Sequence, residues 1–155
     1  MKRFWSVMMA FVFVFTMSLA QPVFSAPDLV VKPLSPAESH AVDTVVTVSA
    51  NIAEIRGYDS DYEHQHILVN QIEVLDIENG NTSDIPNRAF VSIRIDESGI
   101  NGEIPDLRVG APIVIKGEFI PEEEAYKTPH NCCDAVIHFT HDPVGYVQYD
   151  GVTYR

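Results

Sequence analysis

At 155 residues the chain has room for one domain with a real core and too little for two of ordinary size. Its 22 acidic against 10 basic side chains give a formal net charge of −12, a field opposed to the phosphate neutralisation on which nucleic-acid affinity rests. Nucleic acid is therefore disfavoured as a partner unless a basic patch or a bound cation offsets the charge, which otherwise suits solubility.

The first segment has the layout of a cleavable export signal. Lys2 and Arg3 give a positive start, and residues 4–20 then run almost without polarity, broken by Ser6, Thr16 and Ser18. The run falls just short of the ~20 residues of a membrane-spanning helix. Small residues and turn formers follow at once, and cleavage after Ala20 or after Ser25 fits, giving a leader over 1–25. The expected location is periplasmic or secreted, with no stable membrane span after processing. Loss of Lys2 and Arg3 leaves the remainder more acidic still.

Residues 26–41 carry Pro27, Pro33 and Pro36 among small and polar residues, a composition that resists helix and sheet interior alike, so an extended lead-in is expected there. The folded domain is placed at 42–155. Val42, Val45, Val46, Val48, Ile52 and Ile55 mark a long first strand, and 57–63 is a polar turn. The second strand runs over 66–77. Its period of two puts Ile67, Val69 and Gln71 on one face and His64, His66, Leu68 and Asn70 on the other.

Residues 89–95 alternate Ala89, Val91, Ile93 and Ile95 against Phe90, Ser92 and Arg94, the pattern of a strand with one wetter face. In 113–119 Ile113, Ile115, Gly117 and Phe119 share a face, and Gly117 marks a bend or a close backbone approach. An acidic loop over 121–129, a strand over 135–140 and a hairpin turning at Asp150-Gly151 complete the chain. No amphipathic helix of about 10 residues or more is expected in the domain. The set specifies an all-β domain, a small OB-like partly open barrel of five to six strands, with a β-sandwich as the alternative.

Five of the six histidines fall in two clusters, His64 and His66, then His130, His138 and His141. Imidazole is the common ligand of borderline metals and the usual general acid or base near neutral pH. His64 and His66, two apart on a strand, present both rings to one face. His138 and His141 differ in phase on a straight strand, so both reach one site only if the chain turns near Thr140, where Pro143 makes a break plausible. A site is expected from His64, Gln65, His138, Thr140, His141 and Asp142, with His64, His66, His138 and His141 as candidate ligands of a divalent metal such as zinc. No nucleophile with an oriented base accompanies them, and no catalytic residue is assigned.

Cys132 and Cys133 are adjacent, and vicinal disulfide, free thiols, intermolecular bridge and metal ligation beside His130 all remain open. Glu122, Glu123 and Glu124 read as a solvated loop with calcium as the lesser option. Tyr146, Tyr149 and Tyr154 either cover a barrel end or form a stacking platform.

Residues 63–69, the glycine-bounded 107–119 segment, 136–143 and 149–154 together resemble a family of small exported bacterial proteins of unassigned function. That family shows an H-Q motif, a glycine-bounded strand, an I-H-W-T-H element with D-P, and a final G-x-x-Y. The resemblance covers most of 45–155 and implies an OB-like barrel and export. His64, Gln65, His138, Thr140, His141, Asp142 and Pro143 match its signature, while Phe139 stands in place of tryptophan and 131–134 in place of a glycine turn. The expected function is a binding module of open ligand identity, with a histidine-lined metal or anion site. Metal-assisted phosphodiester hydrolysis and a partner-binding role in the cell envelope are the alternatives.

Overall fold

A computed structural model describes residues 43–155. The leader and the 26–41 lead-in lie outside the described residues. Seven strands form in chain order: β1 (Val45–Tyr58), β2 (His64–Glu78), β3 (Arg88–Arg94), β4 (Pro112–Ile120), β5 (Val136–His138), β6 (Tyr146–Tyr149) and β7 (Val152–Tyr154). The only helical element among the described residues is the 3-10 turn Thr82–Asp84. None of their helices is long and apolar enough to cross a membrane.

The strands pair in the order β1-β2-β3-β5-β4-β6-β7, and a further β1–β4 pairing closes the first five into a barrel. All pairings are antiparallel except β3 with β5. This is an OB-like barrel with β6 and β7 added beside β4. One sheet closed on itself replaces the two facing sheets of the sandwich alternative. Closure depends on β1 meeting β2 along one edge and β4 along the other. Four register shifts between β1 and β2 supply the bulges that let so long a strand coil.

The barrel interior follows from period-two alternation. Val46, Val48, Ala50 and Ile52 of β1 point inward to meet Ile67 and Val69, Val91 and Ile93, Ile113 and Ile115, and Ile137. Each fully buried valine or isoleucine contributes about 1.5–3 kcal/mol. Gly117 packs against the backbone carbonyl of His138, and any side chain there would meet that carbonyl and the Ile137 side chain. The sequence expectation of a close approach at this glycine is thus accounted for. The β6–β7 hairpin turns at Asp150 and Gly151, both at positive φ, as the Asp-Gly pair implies.

One face departs from its sequence pattern. Phe90 lies on the side of β3 expected to be wet, yet it is 3% exposed. It packs with Leu68 and Val136 on the outside of the barrel, under Ala125 of the β4–β5 loop, residues 121–135. A loop that folds back over the sheet turned a nominal surface into a second small core. Buried Asp134 pins the loop's end, meeting Arg88 at 2.9 Å and Arg56 at 3.8 Å, while Arg56 also donates to the His130 carbonyl.

Candidate functional site: an imidazole-lined cavity

The same covered face holds the histidines. β2 and β3 pair with His64 opposite Arg94, His66 opposite Ser92 and Leu68 opposite Phe90. β3 and β5 run parallel with Phe90 beside Val136 and Val91 beside Ile137, so the next residues along, Ser92 and His138, come level. β2 and β5 therefore never pair, and β3 carries the histidines of one toward that of the other. Between this outer face, Asp59 of the β1–β2 turn and the β4–β5 loop lies a cavity of about 320 Å³. Its polar wall includes His64, His66, Ser92, His138 and, from the loop, Thr128, His130 and Asn131. Phe90, Ile120, Ala125 and Val136 give it an apolar floor, and Tyr126 stands at its rim, 87% exposed.

Asp59 fixes the first imidazole. Its Oδ2 lies 2.7 Å from His64 Nδ1, while its Oδ1 accepts the backbone N–H groups of Glu63 and His64 at 2.8 and 3.2 Å. Partial burial works against the carboxylate, but these hydrogen bonds, with the His64 ring foremost, outweigh it and hold the Asp59 pKa below its ordinary value. In a neutral imidazole a carboxylate at Nδ1 favours the Nδ1–H tautomer, whose Nε2 is free to accept. That nitrogen faces His138 Nε2 at 3.5 Å, with the two rings 5.5 Å apart.

His66 completes the row behind His64, their rings near parallel at 6.2 Å. It packs against Phe90 at 4.9 Å and His130 at 5.2 Å, is 7% exposed, and its buried Nδ1 has no hydrogen-bond partner. Burial, reinforced by His130, lowers the His66 pKa to about 4. Burial, reinforced by His64, lowers that of His138 to about 4 as well. Both rings are neutral at pH 7 and offer lone pairs rather than positive charge. That chemistry suits a metal ion or a hydrogen-bonding neutral ligand better than an anion.

Three of the four candidate metal ligands, His64, His66 and His138, come together, and His141 does not line the cavity. The chain leaves β5 at Phe139, which has φ 49°, and His141 Nδ1 then bonds the Asp142 carbonyl at 2.8 Å. Thr140 is wholly buried outside the cavity, and Asp142 lies in the turn beyond it. Gln65 faces the barrel interior, where it exchanges hydrogen bonds with the Ile104 backbone at 3.0 and 3.2 Å and anchors the loop after β3. Among the described residues no three His, Cys, Asp or Glu side chains converge as a ready metal site. Glu122, Glu123 and Glu124 are exposed, and Tyr149 is buried with its hydroxyl on the Asp106 carbonyl, so the tyrosines form no single platform.

Asp59, Ser92 and His130 are the site residues that sequence reasoning left out. Asp59 belongs to the polar turn and Ser92 to the nominally wet face of β3, while His130 belongs to the second histidine cluster and enters the expectations only as a neighbour of Cys132 and Cys133 in their metal option. Comparison with protein-family models, with curated proteins and with solved structures found no match. The class of molecule is accordingly the one its own geometry defines: an OB-like barrel with a histidine-lined cavity roofed by its β4–β5 loop.

Proposed function

We propose that this chain is an exported binding module whose cavity takes a small ligand through a metal ion, such as zinc, held by His64 and His138. The facing Nε2 atoms at 3.5 Å carry the reading. Two nitrogens ~2.0–2.1 Å from a tetrahedral zinc ion stand about 3.4 Å apart. Asp59 behind His64 Nδ1 is the carboxylate–histidine arrangement that orients such a ligand. With two protein nitrogens on the ion, its other positions are open to water or to the ligand. The acidic field of the chain favours a cation.

The place supports the reading as well. OB barrels take ligands on the β2–β3 face between the β1–β2 and β4–β5 loops, the location of this cavity, though that analogy concerns position and not chemistry. The Lys2-Arg3 start and apolar run of the leader support export to the periplasm or beyond, in keeping with the family the chain resembles. Calorimetric titration with zinc and copper should give saturable heats for the wild type and none for the His64→Ala/His138→Ala double variant. Identical heats in both proteins would retire the metal.

The Asp59–His64 pair favours one second reading, metal-assisted phosphodiester hydrolysis with His64 as the general base. Turnover of generic phosphodiester and ester substrates with added divalent metals tests it, and silence with every metal discards it.

A further inference from the structure

Cys132 and Cys133 are the two central residues of the turn at the end of the β4–β5 loop, closed by the Asp134 amide donating to the Asn131 carbonyl at 3.2 Å. In extended chain, neighbouring side chains project to opposite faces and adjacent sulfurs stand apart. Here Cys133 takes φ 68°, the left-handed conformation that glycine or asparagine normally supplies at the third position of such a turn. The two Sγ atoms are brought to 2.8 Å, and both cysteines are free and exposed. A side chain held where glycine would be easier points from the backbone outlier toward a use for that side chain.

The turn adjoins the residue that shapes the cavity wall. Asn131 is 5% exposed; its Oδ1 accepts the Thr128 amide at 2.7 Å and the Thr128 hydroxyl at 2.8 Å, and its Nδ2 donates to the Tyr126 carbonyl at 3.0 Å. Thr128, His130 and Asn131 all line the cavity. A constraint placed on the Cys132–Cys133 peptide therefore acts one residue from the group that sets the wall.

We propose that Cys132 and Cys133 form a thiol–disulfide exchange site, and that closing their vicinal disulfide stiffens the β4–β5 loop over the imidazole cavity. The oxidant is a disulfide donor, a small molecule or a carrier protein. The Cys132–Cys133 hydrogen bond holds the Cys133 thiol above its ordinary range, so Cys132 is assigned the first attack, after losing its proton, and Cys133 the resolving step. Cys132 Sγ attacks the donor's S–S bond, forms a mixed disulfide and releases one donor thiolate. Cys133 then loses its proton and attacks Cys132 Sγ, which expels the second thiolate. The protein gives up two electrons and two protons, and the donor disulfide becomes two thiols. The effect on the cavity rests on the ligand reading above, whereas the exchange chemistry does not.

The test treats the reduced full chain with oxidised glutathione and follows intact mass, gel filtration and amide hydrogen exchange. The expected product is a monomer lighter by two hydrogens, with exchange at residues 126–131 slowed about fivefold or more. Cys133→Ser should retain one glutathione, because nothing resolves the adduct on Cys132. A persistent adduct on the wild type, a disulfide-linked dimer, an adduct-free Cys133→Ser, or unchanged exchange once the disulfide has formed would each overturn the proposal. Zinc calorimetry in both redox states separates the two readings: if the loop stiffens and zinc gives no heat, the metal reading fails and the exchange site stands.

Discussion

The behaviour of single residues in the cavity depends on which nitrogen of each imidazole is free. Asp59→Asn keeps the shape of the side chain but removes the charge that orients His64, so zinc affinity by calorimetry should fall about 10–100-fold with the fold unchanged by circular dichroism. The two depressed imidazoles have a pH signature of their own. In the unfolded chain His66 and His138 take up protons near the ordinary histidine value of 6.5, whereas in the folded chain they do so only near 4. Between those values the unfolded state binds more protons, so folding stability is full above about pH 6.5 and falls as the pH drops toward 4. The unfolding free energy from urea titrations across that window should decline by an amount on the order of a few kcal/mol, and His66→Phe should flatten the decline. At this scale the sequence was partly legible: clustering pointed to His64, His66 and His138. Asp59 gave no motif signal and alternation marked Ser92 only as surface, because their roles exist only once a turn and a neighbouring strand are in place.

Elements decide which of those side chains meet. β3 is the bridge, since its antiparallel register with β2 and parallel register with β5 bring His66 and His138 to one level. β4 sets how closely β5 may lie, through Gly117 against the His138 carbonyl. Gly117→Ala should therefore lower the thermal midpoint by several degrees and, on the proposed reading, weaken zinc binding as well, because the displaced backbone carries the His138 ring. A midpoint change with the zinc heat untouched would separate β5 position from the site. Strand existence and facing were readable from alternation, as for Ile67 and Val69 against His64 and His66. The covered face of β3 was not readable, because Phe90, Ser92 and Arg94 look the same whether water or a returning loop lies above them.

For the molecule as a whole, the closed barrel is the scaffold that makes the cavity possible. Ile115 is wholly buried at the centre of the interior, and Ile115→Ala should cost about 2–5 kcal/mol in urea denaturation, with the spread set by how far the barrel can collapse around the gap. The cavity lies outside the barrel, so such a variant should still bind zinc when folded. The amino-acid sequence by itself determined the all-β class, the strands of the barrel and which side chains face its core, because period-two alternation is a local property of extended chain. It also marked Gly117 as a bend or a close backbone approach and Asp150-Gly151 as a turn. Only the tertiary structure decided that Gln65 serves the barrel interior, that His141 turns away, and that His130 and Asp59 join His64, His66 and His138. Those outcomes depend on strand order and on a loop folding back over the sheet, contacts between residues tens of positions apart that no local pattern encodes.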